Sequence, residues 1–262
     1  MAIEFHRKPS LVVYLTIGDP DLATSKKIAL AAIDAGADVL ELGVPFSDPV
    51  ADGPVIQRAS ERAVRNGTRL SDVLNLAREL RQERPLAGLV IFSYLNPLLR
   101  MGLEKFAEAA SKAGIDSVLA TDMIVEESAE YRAILRRYHL QPIFLAAPTS
   151  PDERLARIAE VSEGFVYAIS RVGITGTQQQ VASDAGALVS RLRRYTRLPI
   201  ALGFGISNAA HFAAAGEFAD AVVVGSAIVA IIEKSKPADA PAAVGEFIAE
   251  LRGSGVAANV AT

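Results

Sequence analysis

The residues best suited to chemistry lie in one short stretch, Glu41-Leu42-Gly43-Val44-Pro45-Phe46-Ser47-Asp48-Pro49-Val50-Ala51-Asp52-Gly53-Pro54, which carries three carboxylates and three prolines. Glu41 stands among Leu40, Leu42 and Val44 at the end of an apolar run. A carboxyl in that setting is expected to be half-buried, and desolvation disfavours its charged form and raises its pKa. Asp52 falls in Ala51-Asp52-Gly53-Pro54, a loop composition with better access to water and backbone donors. Two carboxyls in unlike environments can divide acid and base roles. The prolines stiffen the loop between them, because each fixes its own φ and biases its predecessor away from helix. The alternative is structural: Glu41 salt-bridged inside the fold, and aspartates that shape turns.

A second signal sits in the last third. Arg171-Val172-Gly173-Ile174-Thr175-Gly176-Thr177, Gly203-Phe204-Gly205-Ile206-Ser207 and Val224-Gly225-Ser226-Ala227 each follow an apolar run, and the last opens a helical pattern. Glycines let a backbone approach a ligand, and a helix start leaves N–H groups that favour an anion. Together the three segments predict a phosphate site built from main-chain amides; singly, each reads as an ordinary glycine-bearing turn. The three histidines, His6, His139 and His211, are scattered and lie away from these stretches, so they are read as surface or packing residues. Scattered histidines and an absence of cysteine leave no metal site, and acid-base work falls to carboxylates or tyrosine.

The elements that must position these groups alternate strand and helix. Strands are predicted at 11–17, 39–43, 89–92, 117–120, 142–146, 165–169, 200–202 and 221–224. Helices are predicted at 22–35, 70–84, 103–113, 126–138, 152–161, 184–195, 208–215 and from 226 onward. A loose repeat supports this reading: Ala35-Gly36-Ala37-Asp38-Val39, Ala113-Gly114-Ile115-Asp116-Ser117 and Ala215-Gly216-Glu217-Phe218-Ala219-Asp220-Ala221 all end a helix near glycine and start a strand soon after. Eight short buried strands joined by helices imply parallel pairing and right-handed crossovers, and the count favours an α/β fold of one (β/α)₈ TIM barrel with a short segment before the first strand. No G-x-G-x-x-G follows the first strand, which argues against a dinucleotide fold. The barrel is expected to fill residues 1–252, with 253–262 a frayed tail. In such a barrel the chemistry lies at the C-terminal ends of the strands, where this chain offers Tyr14, Asp19, Glu41, Asp48, Asp52, Tyr94, Asn96, Asp122, Thr149, Tyr167, Ser170, Phe204 and Ser226.

Composition bounds the rest. The 262 residues suit one large domain, and half of them are apolar, enough for a full core. A net charge of −3 gives no electrostatic case for nucleic acid or an anionic membrane. The N-terminal residues lack a secretory pattern, no 18-residue uncharged apolar stretch occurs, and the lack of cysteine fits a cytoplasmic protein.

The Glu41–Pro54 stretch resembles the signature of the tryptophan synthase alpha chain family. The similarity continues, in order, through Leu15-Thr16-Ile17-Gly18-Asp19-Pro20, Tyr94-Leu95-Asn96-Pro97, Ala147-Pro148-Thr149, Phe165-Val166-Tyr167, Ser170 to Gly176, Gly203 to Ser207 and Val223 to Val229. The resemblance implies retro-aldol cleavage of indole-3-glycerol phosphate to indole and glyceraldehyde 3-phosphate. Glu41 is then the acid-base at indole C3 and the glycerol hydroxyl, and Asp52 accepts the indole N–H. Tyr14, Tyr167 and apolar strand ends such as Phe204 pack the ring, and Gly176, Gly205, Gly225 and Ser226 hold the phosphate. Thr175 bonds Asp52 when its loop closes. The resemblance also implies a beta-chain partner in an alpha2-beta2 heterotetramer, docked on Pro45–Pro49 and Asn96–Leu99 of the barrel top. Pyridoxal phosphate belongs only to that partner, and this chain carries no cofactor.

Three departures from the family pattern stand out: little chain before the first strand, where a helix usually caps the lower mouth; Asp122-Met123-Ile124-Val125 in place of a proline-rich turn; and a polar, uncharged Thr177-Gln178-Gln179-Gln180 in the loop expected to close. Other readings are a stand-alone lyase releasing free indole, a non-catalytic subunit that activates a partner, and, outside the family, another phosphate-binding barrel such as a sugar-phosphate isomerase. The last is disfavoured by the lack of a suitably placed lysine or histidine.

Overall fold

Short runs rich in Val, Leu and Ile form the strands β1 (Ser10–Thr16), β2 (Val39–Gly43), β3 (Gly88–Ser93), β4 (Ser117–Ala120), β5 (Gln141–Ile143), β6 (Leu145–Ala146), β7 (Val166–Ile169), β8 (Ile200–Gly203) and β9 (Ala221–Val224). The computed structural model describes residues 3–169, 178–203 and 205–253. All the strand pairings are parallel, in the order β5-β4-β3-β2-β1-β9-β8-β7-β6. Only Phe144 separates β5 from β6. The first pairs with β4 and the second with β7, so one interrupted strand closes the sheet into an eight-stave barrel.

Between the strands run α1 (Leu22–Asp34), α2 (Pro54–Arg65), α3 (Leu70–Glu83), α4 (Leu95–Met101), α5 (Leu103–Lys112), α6 (Ala129–Arg137), α7 (Asp152–Val161), α8 (Gln178–Leu192), α9 (Ala209–Gly216), α10 (Ser226–Lys234) and α11 (Ala240–Leu251). Each helix turns an apolar stripe to the outward faces of the strands; Ile28, Ala29 and Ala32 of α1 and Val73, Leu74, Ala77 and Leu80 of α3 are all buried. Alternation along the strands separates two cores. Leu11, Val13, Leu15, Leu40, Leu42, Leu89 and Ile91 face the helices, while Val12, Val39, Val90, Leu119, Ile143, Phe165, Ala201, Ala221 and Val223 fill the barrel interior.

The structure redraws several sequence boundaries. α2 and α4 were not expected. Each carries a proline in its first turn, where the ring costs little, but in sequence Gly53-Pro54 and Asn96-Pro97 read as loop punctuation. The helix predicted at 126–138 is a 3-10 turn, Val125–Glu127, followed by α6. Ser128 divides them, its hydroxyl donating to the Val125 carbonyl at 2.8 Å. Residues 178–180, read as part of a polar loop, belong to the backbone of α8, in keeping with the good helix propensity of glutamine.

Residues ahead of β1 pack against the lower mouth. Ile3 is buried in the interior core, Phe5 packs against the same core with its ring 5.6 Å from that of Phe165, and the Ile3 N–H donates to Gln141 Oε1 at 3.1 Å. Ile3 and Phe5 thus supply apolar packing at this mouth. Phe5→Ala is expected to lower stability by about 1–2 kcal/mol, because the ring is only half-buried; an unchanged urea midpoint would show that Phe5 does not seal the mouth.

The repeated helix-to-strand grammar has a concrete purpose. Asp38, Asp116 and Asp220 each precede a strand, and each accepts a backbone N–H from the preceding strand in sequence: Leu11 at 2.7 Å, Leu89 at 2.8 Å and Ile200 at 2.8 Å. Each also pairs with an arginine, Arg252, Arg81 and Arg193 respectively, which donates in addition to nearby carbonyls such as Gly36, Gly114 and Leu198. Three copies of one latch therefore fasten the lower rim.

Candidate active site

Inward-pointing positions of β1, β2 and β7 carry Tyr14, Glu41 and Tyr167 above an apolar interior. Tyr14 on β1 is in register with Glu41 on β2, and Glu41 with Val90 on β3. Tyr167 on β7 stands opposite Ala201, and Ile169 opposite Gly203. Tyr14, Glu41 and Tyr167 are all buried. Two glycines make room for the phenols: a Cβ on Gly43 would lie 2.5 Å from Tyr14 Oη and 2.8 Å from the Leu15 carbonyl, and one on Gly203 would lie 3.1 Å from the Tyr167 ring.

Glu41 is more extreme than its sequence setting implied. Its exposure is 0%, and neither carboxyl oxygen has a hydrogen-bond partner among the described residues. Burial alone pushes its pKa up to about 8. The structural alternative of a salt-bridged Glu41 finds no counter-ion among the described residues.

Asp52 sits at the end of the loop after β2, just ahead of α2, and is half-buried. Burial pushes it up to about 6, opposed by a hydrogen bond from Tyr94 Oη to Oδ2 at 3.0 Å. The two carboxyls share one mouth. Burial raises the Tyr14 and Tyr167 hydroxyls, and the charges of Asp52 and Glu41 raise both further. Each phenol therefore remains a neutral donor at ordinary pH. The Phe92 ring meets Tyr14 edge-on at 5.0 Å, and behind them Tyr14, Ala59 and Val229 form a small cluster that joins β1 to α2 and α10.

The expected anion site is described in part. Gly205 adopts φ +64, a left-handed conformation that favours glycine, with open space around it. Gly225 is the N-cap of α10, so no cap side chain takes up the first N–H groups of the helix, which like those of any helix lack an intrahelical acceptor, and Ser226 at its start is exposed. A Cβ on Gly225 would lie 3.2 Å from Tyr14 Cβ, so this glycine also lets the helix start close to the ring. Thr175, Gly176 and Phe204 lie outside the described residues, as does Ser170.

Other strand-end candidates are occupied with the scaffold. Asp19 is buried and takes a bidentate pair from Arg62 at 2.8 and 2.9 Å. Arg62 also reaches Glu233 at 2.7 Å, as does Arg58, and the two guanidiniums hold the Glu233 carboxyl down to about 2. Asp122 accepts the Leu95 N–H at 2.7 Å and so caps α4. Asp48 bonds the Ser47 hydroxyl at the exposed surface. Tyr94 was noted at a strand end but given no role. Its bond to Asp52 spans 42 residues of sequence, and only the register of β2 and β3 brings the two together. His6 lies at the opposite mouth, whereas His211, in the first turn of α9, contacts Ser207 and Asn208 of the loop after β8. A recess of about 550 Å³ opens at the opposite mouth, lined by Ile3, His6, Ala37 and Leu86 among others, far from these groups. No group of metal-binding side chains occurs among the described residues.

A family model described as tryptophan synthase alpha chain matches residues 2–254. The tryptophan synthase alpha chain of Solibacter usitatus is 46% identical over 228 residues, which cover 87% of this chain and 85% of that one. That of Thiobacillus denitrificans is 43% identical over 251 residues, 96% of this chain and 92% of the relative. Among solved structures, a Mycobacterium tuberculosis tryptophan synthase chain superimposes with a TM-score of 0.86 at 35% identity, covering 94% of this chain and 92% of that chain. A chain of the Pyrococcus furiosus tryptophan synthase complex gives 0.85 at 36% identity, covering 94% and 99%.

Proposed function

The chain belongs to the tryptophan synthase alpha chain family, the lyases that cleave indole-3-glycerol phosphate to indole and glyceraldehyde 3-phosphate, and from that premise we propose how its own residues carry the reaction. The observation that carries the reading is Glu41: a carboxyl wholly buried and unpartnered among the described residues, in a mouth whose tyrosines it shares with Asp52; burial pushes the first up to about 8 and the second up to about 6.

In the proposed sequence the Glu41 carboxylic acid gives its proton to indole C3. The ring becomes an electrophilic indolenine with its positive charge at N1–H, and the Asp52 carboxylate accepts that N–H and stabilises the charge. The Glu41 carboxylate then takes the proton of the glycerol hydroxyl. The C–O⁻ electrons form the aldehyde, the carbon–carbon bond breaks, and its electron pair returns to the ring as the indole double bond. One carboxyl thus gives a proton and takes one back, and no external acid or base is needed. Tyr14, Phe92 and Tyr167, with Phe204, pack the indole. The amides at Gly205, Gly225 and Ser226, with Gly176, hold the phosphate, as a helix N-terminus favours. Thr175 bonds Asp52 when its loop closes over the substrate, which excludes water.

This assignment has a signed pH dependence. The reactive form needs Glu41 protonated and Asp52 ionised. kcat/KM should therefore rise as pH increases through about 6 and fall as it passes about 8. A rate still climbing at pH 9 would contradict Glu41 as the proton donor.

Tryptophan synthase complexes among the solved relatives support a beta-chain partner. We assign this chain to an alpha2-beta2 assembly in the cytoplasm, with pyridoxal phosphate confined to the beta chain. The loop after β2 exposes Val50 and the helix after β3, α4, exposes Leu99, apolar side chains suited to a protein contact. No described helix is long and apolar enough to cross a membrane. Indole release by the purified chain, with and without a beta chain, tests the reading. Full turnover alone would favour a stand-alone lyase, and no indole in either case would favour a non-catalytic activating subunit.

A further inference from the structure

Tyr94 stands at the junction of everything that fixes the loop after β2. Its hydroxyl accepts the Ala51 N–H at 2.8 Å and donates to Asp52 Oδ2 at 3.0 Å, and its ring lies 5.0 Å from that of Phe46 at the other end of the same loop. Its own backbone is anchored because it is the N-cap of α4, whose first N–H is held by Asp122. A side chain that both receives from the residue before Asp52 and donates to Asp52 itself leaves that carboxylate little freedom to turn.

We propose that Tyr94 is a positioning residue for the lyase reaction: it pins Oδ2 of Asp52 and the backbone before it, leaving Oδ1 as the oxygen that receives the indole N–H. The proposal rests on Asp52 acting at the indole nitrogen. It adds that the phenol keeps Asp52 ionised in its partly desolvated place. The bond favours the charged carboxylate, and the other titratable groups that interact with it, Tyr14 from β1 and Tyr167 from β7, supply no positive charge to do so; Glu41 faces those two phenols and Asp122 faces Tyr94, and neither is a cation. Arg58, on α2, is committed to Glu233.

Tyr94→Phe removes the hydroxyl and keeps the ring against Phe46. With the chain in complex with a beta chain, the variant is expected to lose about tenfold in kcat/KM near pH 6.5. The acid limb of its pH profile should move up by about half to one pH unit, the size of one lost hydrogen bond. The substrate's phosphate also ionises near pH 6, but that limb does not move when the protein changes. An acid limb left in place, whether activity is intact or uniformly reduced at every pH, would overturn the proposal, since a packing defect lowers the whole curve without shifting it. Activity retained by Asp52→Asn would instead overturn the underlying assignment, so the two failures are distinguishable.

Discussion

Glu41→Gln is expected to abolish cleavage while making the protein harder to unfold at alkaline pH. The amide cannot give a proton to C3 or take one from the hydroxyl, so kcat should fall by about a thousandfold or more, with substrate still bound through the indole and phosphate contacts. The stability half follows from linkage. The Glu41 carboxyl has an ordinary value of 4.5 and is pushed up to about 8 in the folded chain. Between those values the native state holds a proton that the unfolded state has released, so stability falls as pH rises from about 4.5 to about 8. Glutamine removes that liability. The variant should melt higher than the wild type at pH 8.5 and show no such gain at pH 4. Near-normal turnover would refute the catalytic role, and equal melting temperatures at pH 8.5 would refute the buried, unpartnered carboxyl. Measuring both separates an error in chemistry from an error in environment.

Arg62→Ala should cost substantial stability, although the side chain is itself partly exposed. Asp19 is 2% exposed and takes both of its charge-assisted bonds from this one guanidinium. Removing the arginine strands a buried carboxylate, a change that costs about 3–5 kcal/mol in closed sites; with Arg62 itself about a third exposed, about 2–4 kcal/mol is expected here. For a chain of this size that is a fall in melting temperature of roughly 6–12 °C. Arg62→Lys should recover little, because a single ammonium cannot match a bidentate fork and bridge to Glu233 as well. A melting temperature within about 2 °C of the wild type would show that the pair is not a stabilising lock. The same arginine joins the helix that follows Asp52 to the C-terminal end of α10, whose other end lies beside the expected anion, so partial loss of activity should accompany the loss of stability.

Much of this was legible in the residue order. The eight strands could be read because each is a short apolar run buried on both faces, a pattern that survives without knowledge of the partner strand. Glu41 and Asp52 stood out because their chemical settings differ along the chain itself. What escaped depends on distance. Nothing near Asp52 in sequence points to Tyr94, and nothing near Asp19 points to Arg62, because parallel strand pairing creates both contacts. α2 and α4 were missed for a local reason: Gly53-Pro54 and Asn96-Pro97 are equally good loop signals, and tertiary packing of Ala59, Ala63 and Leu98 decided the matter. The packing of Ile3 and Phe5 against the lower mouth was not foreseen, because a segment outside helix and strand has no periodicity to announce what it buries.

The three aspartate–arginine latches have a consequence for how this molecule can change. They tie strand to strand at the end remote from the chemistry, using groups that belong to the scaffold and touch no substrate. The opposite rim is then relieved of holding the cylinder shut, and its loops are free to lengthen, shorten or exchange residues with the foundation left standing. A molecule fastened at its base can be re-tooled at its crown: selection on what enters the mouth need not pass through a loss of the fold.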